Sequence, residues 1–479
     1  MLSASEYARL DAVGLSSLYQ QRKVSAAELL ACALEQAACL NPALNAIVFQ
    51  NEDEARAAAA QLDQNRAMDN KVAGVPFLIK EVNAVQGWPH TRGLKMLATQ
   101  RAARDSAIVK RYRDAGLVLF GSTNTPELCM TITTEHSIFG PCDNPRKPGY
   151  STGGSSGGAA AAVAAGIVPA ADGSDGGGSI RIPAACCGLI GLKPSRGLTV
   201  VDADFASAWS GLSVGNVLTR SVRDSAAFLD ILKLHKADLF ALPPPPSSFF
   251  TDYSNSPGKL RIALHNHHPA KGFIHEDCVS ALNHAAKRCE DHGHSIEEAI
   301  PPVDYARMGA AMATIINVHS AQIVSRAMEF AGIEDLDNAG LSESSRRICA
   351  RGFTTSAASF LQAMDTLKEI ERQMEAFFQR YDLVLSPVLS LPPCKLGWLD
   401  MDSDDIGEYA HRYSGYSPFT GLYNATGQPS INLPLFENTD GLPIGVMASS
   451  AWGRDDLLLR LAHQLIPGIL PVHAQRQLL

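Results

Sequence analysis

The sequence predicts an α/β protein in which one β-sheet is covered by helices on both faces. Two observations carry this. Short apolar runs, at Val72–Ile79, Leu117–Phe120, Lys259–Leu264, Asp382–Pro387, Pro429–Leu433 and Ile444–Ala448, alternate along the chain with longer segments of helical periodicity. The 479 residues are 46% hydrophobic and 19% charged, enough apolar matter to bury a large core.

Taken in order, Ser25 and Glu28 stand at capping-box spacing before the apolar-periodic segment Ala26–Leu40, which is expected to end at Asn41-Pro42. An alanine-rich, charged helix follows over Glu52–Asn65. The run Val72–Ile79 (VAGVPFLI) reads as a buried strand that delivers Lys80 at its carboxyl end, the usual place for a functional residue on an α/β sheet. Ala107–Ala115 reads as a helix, and Leu117–Phe120 as a strand running into the loop Gly121–Pro126. Met130–Tyr150, with Gly140, Pro141, Pro145, Pro148 and Gly149, is mostly loop.

Ala159–Ala165 is a strong helix former, Ser221–Leu234 an amphipathic helix, and Leu242–Ser256 a connector with consecutive prolines at Pro243–Pro246. Glu276–Gly293 is a helix closed by glycine, and Tyr305–Gln379 is helical with an interruption near Asp335–Ser342. Asp455–Leu465 is the closing helix.

Composition narrows the function classes. The formal charge of −8 argues against a nucleic-acid surface, where clustered basic residues are expected. The ten cysteines form no CxxC pair, so neither a disulfide scaffold nor a zinc ribbon is indicated. The amino-terminal stretch MLSASEYARLDAVG lacks the basic flank and apolar core of a signal peptide, and the least polar run, Ala159–Ala171, is too short to span a bilayer. A cytoplasmic protein with no nucleic-acid and no membrane partner is the expectation.

The chemistry concentrates in Gly153–Pro194. Gly153–Gly158 (GGSSGG) precedes a helix former, so its N–H groups sit at a helix amino terminus. A phosphate loop would need GxxxxGK[ST] or GxGxxG, and the chain has neither. Asp175-Gly176-Gly177-Gly178-Ser179 offers a hydroxyl nucleophile beside consecutive backbone N–H groups that an oxyanion would need, or else a glycine-rich turn. These five residues leave both readings open.

Lys80 after an apolar strand, GGSSGG 75 residues on at Ser155, and DGGGSIRIPAACCGLIGLKPSRG with Ser179 a further 24 on resemble the amidase signature family of serine hydrolases. Gly121–Glu127 (GSTNTPE), Asp382–Val388, Gly427–Pro434 and Gly441–Val446 extend the resemblance over almost the whole chain. It implies a single large mixed sheet and an amidase cleaving a carboxylic amide C–N bond. It also implies a Ser–cisSer–Lys triad of Ser179 as acyl nucleophile, Ser155 as relay and Lys80 as base, with the N–H groups of Gly176, Gly177, Gly178 and Ser179 as oxyanion hole. No cofactor and no metal are implied.

One amidase domain is expected over 1–479, with a catalytic core at about 70–230, a Pro-rich connector at 240–258, and 259–479 completing the sheet and the substrate pocket. The expected partner is a small-molecule amide; a homodimer is one open assembly, and the sequence does not specify the oligomeric state. A glutaminase-type amidotransferase subunit and a non-catalytic scaffold are the alternative functions; an intact Lys80, Ser155 and Ser179 argue against the scaffold.

Two positions depart from the family pattern. Glu81 stands where Asp more often follows the lysine, and Gly176 where a residue with a side chain is usual. Arg181 either binds a substrate carboxylate or pairs with Asp175. Cys186-Cys187 read as buried small apolar residues, and His265, His267 and His268 lack the nearby ligands of a metal site. The aromatics of Tyr416–Tyr423 and Met130–Phe139 are candidates for the acyl pocket or for core.

Overall fold

The computed structural model describes residues 2–65, 70–200, 208–234 and 242–473. The first two residues of the expected connector, 240 and 241, lie outside them. The described strands are β1 (Ile47–Gln50), β2 (Pro76–Lys80), β3 (Val118–Thr123), β4 (Ala170–Asp175), β5 (Ile190–Lys193), β6 (Val214–Thr219), β7 (Arg261–Leu264), β8 (Ser295–Glu298), β9 (Leu383–Pro387), β10 (Ser430–Glu437) and β11 (Pro443–Ser450). All join one sheet in the order β1-β3-β2-β4-β6-β5-β10-β11-β9-β7-β8.

The sheet is mixed. β3, β2 and β4 are parallel, as are β9, β7 and β8, and the pairs between β4 and β9 are antiparallel. β2, β3, β9 and β11 are buried along their full length, as expected of strands covered on both faces. On β11 the alternation is direct: Met447 packs into one apolar cluster with Ile315 and Met374, whereas Val446 and Ala448 pack into another with Leu282 and Leu458. The edge strand β8 (SIEE) is largely exposed and carries its charges outward, which discourages further pairing.

Local signals explain most boundaries. Ser25 and Glu28 form the capping box, with Ser25 Oγ accepting from the Glu28 N–H at 3.0 Å. The helix does not stop at Asn41-Pro42, however, but runs over Ala26–Leu44 to a left-handed cap at Asn45. The Asn41 side chain stabilises this exit: its Oδ1 accepts from the Ala46 and Ile47 N–H groups, and its Nδ2 donates to the Ile47 carbonyl. Tyr305–Gln379 divides into helices Tyr305–Ala331, Glu343–Thr354 and Ala357–Phe377. Ser356 caps the last of these and makes a second break that periodicity does not reveal.

Candidate active site

β2 and β4 lie side by side and bring their carboxyl ends together. Lys80 ends β2 and is fully buried. Its Nζ donates to Ser155 Oγ at 2.8 Å and to Ser174 Oγ at 3.0 Å. Ser174 shares a face of β4 with Asp172, whose carboxylate accepts from the Lys80 backbone N–H (3.1 Å), the Asn83 amide (2.6 Å) and the Tyr112 hydroxyl (3.0 Å). Lys80 is thus held at both its backbone and its amine.

Burial lowers the Lys80 pKa, and the opposing influence of Cys129, Asp172 and Asp175 does not outweigh it. Burial also pushes the Asp172 carboxyl up to about 6, against its three donors. Glu81 is raised to about 7 by burial, although it accepts from the N–H groups of Thr91 and Arg92. Its carboxylate therefore braces the following loop, and its longer reach relative to Asp is used there.

Ser155 follows a cis peptide bond from Gly154 and is fully buried. The helix Gly157–Ala164 begins two residues later. The Ser156 N–H donates to the Ser179 carbonyl at 3.2 Å, tying the two serine loops together. Ser155, Ser174, Gly176 and Ser179 all line one cavity of about 530 Å³.

The nest around Ser179 is shaped by Asp175. Its Oδ1 accepts from the Gly178 N–H at 2.8 Å, and its Oδ2 accepts from the Ile180 N–H at 3.2 Å. The expectation that Gly178 contributes an oxyanion donor is therefore corrected: a buried carboxylate needs donors, and this N–H is one of them. Gly178 has φ of +134°, a conformation that favours glycine. Of the other expected donors, Gly176 and Ser179 line the cavity and Gly177 does not.

Gly176 is required by its neighbour. A Cβ at this position would lie 2.7 Å from Trp209 Cζ3, so the indole occupies the room that a side chain would need.

Arg181 does not line the cavity. It is fully buried, donates from Nε and Nη2 to the two Asp175 oxygens at 2.9 Å each, and also donates to the Thr420 carbonyl and Asn424 Oδ1. Of its two readings, the ion pair with Asp175 is the one the geometry contains, because no donor edge is left for a substrate carboxylate. Burial pushes the Asp175 carboxyl up, but Arg181, Asn424 and Lys193 together hold it well below the usual range.

Of the two readings of the aromatics, core is the one the structure contains. Tyr416, Phe419 and Tyr423 are core residues and no residue of Met130–Phe139 lines the cavity. The wall comes instead from Trp209 and the Tyr305–Ala331 helix. Cys186 and Cys187 are buried. His268 is engaged through both ring nitrogens, with Nδ1 accepting from the Ala270 and Gly272 N–H groups and Nε2 3.1 Å from the Gly415 carbonyl. Among the described residues, His136, Asp400 and Asp402 bring ligand atoms within 4.8 Å of one another, away from the cavity and with both acids exposed.

Ser174, Asp172, Trp209 and His319 escaped the sequence reading. The alternation of Asp172 and Ser174 ahead of the glycine run is the signal that points to the first two.

The family model described as Amidase matches residues 28–459. The chain belongs to the amidase signature family. It is an amidase, a hydrolase acting on carbon–nitrogen bonds. It is 34% identical to 6-aminohexanoate-cyclic-dimer hydrolase of Paenarthrobacter ureafaciens, over 97% of this chain and 96% of the relative. A solved structure of 6-aminohexanoate cyclic dimer hydrolase with substrate superposes with a TM-score of 0.88 at 32% identity, covering 98% of this chain and 99% of that one. A bacterial aryl acylamidase gives 0.85 at 26% identity, covering 96% of each chain. No described helix is long and apolar enough to cross a membrane.

Proposed function

We propose that this amidase works through an acyl-enzyme on Ser179, with Ser155 relaying the proton and Lys80 taking it. The observation that carries the reading is the 2.8 Å hydrogen bond from Lys80 Nζ to Ser155 Oγ, with Ser155 lining the same cavity as Ser179. A serine hydroxyl attacks only when a base removes its proton. Burial disfavours the ammonium form of Lys80 and so supplies the neutral amine at a lower pH than free lysine would.

In the first half-reaction the Ser179 Oγ–carbonyl carbon bond forms. The Ser179 proton passes to Ser155 Oγ as the Ser155 proton passes to Lys80. The N–H groups of Gly176, Gly177 and Ser179 donate to the carbonyl oxygen as it gains charge. The C–N bond then breaks, and the nitrogen leaves with the proton returned along the same relay. Water repeats the sequence on the ester, releasing the acid and restoring Ser179. Ping-pong kinetics follow. The relay uses side chains and water alone.

Cyclic amides and anilides are the first substrates to try, a choice supported by the likeness to the cyclic-dimer hydrolase and the aryl acylamidase. Ten cysteines without a disulfide suit a reducing compartment, and the cytoplasm is the proposed location. The test is incubation with linear, cyclic, aryl and amino-acid amides, followed by mass spectrometry of the Ser179 peptide. An adduct of acyl mass on Ser179 is expected, together with loss of turnover in folded Ser179→Ala. Near-wild-type turnover in that variant overturns the reading.

A further inference from the structure

We propose that the amide taken by this site has an apolar body and a carboxylate at its far end, and that Arg326 reads the carboxylate. The inference rests on the amide-hydrolase reading above and names its substrate class.

The Tyr305–Ala331 helix turns one face to the cavity: His319, Gln322, Ile323, Arg326, Ala327 and Phe330 line it at helical spacing. The inner end of this stripe is fixed. His319 Nε2 lies 2.9 Å from Ser210 Oγ, and the adjacent Trp209 packs against Gly176 of the nest. The outer end is open to solvent, with Arg326 exposed and Phe330 55% exposed. At about 1.5 Å per residue, Arg326 stands about 10 Å further out than His319. The helix thus measures distance from the reacting centre.

Along that length the wall is largely apolar, through Leu97, Ile108, Leu128, Val214 and Ile323. At its outer end, the Arg326 side chain forms no hydrogen bond or ion pair with any described residue. Arg92 also lines the cavity, and among its described lining residues there is no Asp or Glu. A guanidinium offers a planar fork of donors matched to a carboxylate. Positive charge in a cleft with apolar walls attracts an anion and repels an ammonium group. A neutral cyclic amide would leave Arg326 unused.

The test uses the full chain and pairs of substrates. One series is anilides of linear diacids of five to ten carbons, each compared with its terminal carboxamide. The other is N-acetyl-ω-amino acids compared with their amides, which places the carboxylate on the leaving-group side. We expect kcat/KM to favour the carboxylate about tenfold or more at the best length in one of the series, through KM, with the ratio falling as salt is added. In Arg326→Gln the ratio falls toward one, and in Arg326→Glu an ω-ammonium substrate overtakes the carboxylate.

Cleavage of both members of each pair at equal rates by the wild type overturns the proposal alone, as does a carboxylate preference that Arg326→Gln leaves intact. Failure to cleave any amide, with no adduct on Ser179, overturns the acyl-enzyme reading and this proposal with it.

Discussion

The indole of Trp209 stands against Gly176 so closely that an added Cβ would meet Cζ3 at 2.7 Å and Cε3 at 2.8 Å. Gly176→Ala therefore displaces either the ring or the nest. A misplacement of this size at a reacting centre costs about tenfold or more in kcat/KM. The contact predicts non-additivity: Gly176→Ala should do less harm in a Trp209→Ala background than in the wild type. A double-mutant cycle on any cleaved amide measures it, and strictly additive effects would show that the two residues do not meet.

Lys80→Met keeps the stem and removes the amine. Turnover should drop about a thousandfold, the scale of general base catalysis. In the wild type, kcat/KM should rise with pH as Lys80 loses its proton. Because burial lowers its pKa, this limb lies at lower pH than that of an exposed lysine. A limb in the ordinary lysine range, near pH 10.4, would contradict the role given to Lys80.

Arg181→Met should destabilise the fold by about 3–5 kcal/mol, because Asp175 is left buried without its cation. Urea unfolding measures it, and Asp175→Asn in the same chain should restore part of the loss. A change below about 1 kcal/mol would place the pair in solvent.

Lys193 gives a pH-dependent test of stability. Burial, aided by Arg181, lowers its pKa to about 7 from an ordinary value of 10.5. Between these values the unfolded chain holds a proton that the folded chain has released, so this group adds stability as pH rises from about 7 toward 10. Below pH 7 both states are protonated and the cost of the buried charge is fully present. Lys193→Met should accordingly gain most over the wild type at pH 6, with the gap closing at pH 9 to 10 in paired thermal melts. A constant gap would rule this out.

The placement of Lys80 was legible because VAGVPFLI is an apolar run, and a strand there puts Lys80 at the carboxyl edge of the sheet. β4 was not: AADGSD contains no β-branched or aromatic residue, and its extended form comes from pairing with β6 over Ala170–Asp175. Both serine loops could be read from their glycines. The fate of the Gly178 N–H could not, since it depends on the orientation of one carboxylate. The helix carrying His319 and Arg326 was also expected, but periodicity alone does not say which face meets a cavity that Trp209 closes from elsewhere in the chain. The persistence of the first long helix through Pro42 likewise rests on Asn41 side-chain bonds that lie beyond a propensity argument.

The brace on the nest comes from far along the chain. Thr420 Oγ1 donates to the Gly177 carbonyl and Asn424 Nδ2 to the Asp175 carbonyl, across 243 and 249 positions. As the protein is synthesised, the lysine and both serines emerge from the ribosome well before Thr420 and Asn424. A nascent chain therefore carries every proposed reacting group without the frame that aligns them. On the proposed mechanism, hydrolytic competence is expected only once Thr420 and Asn424 have reached the nest.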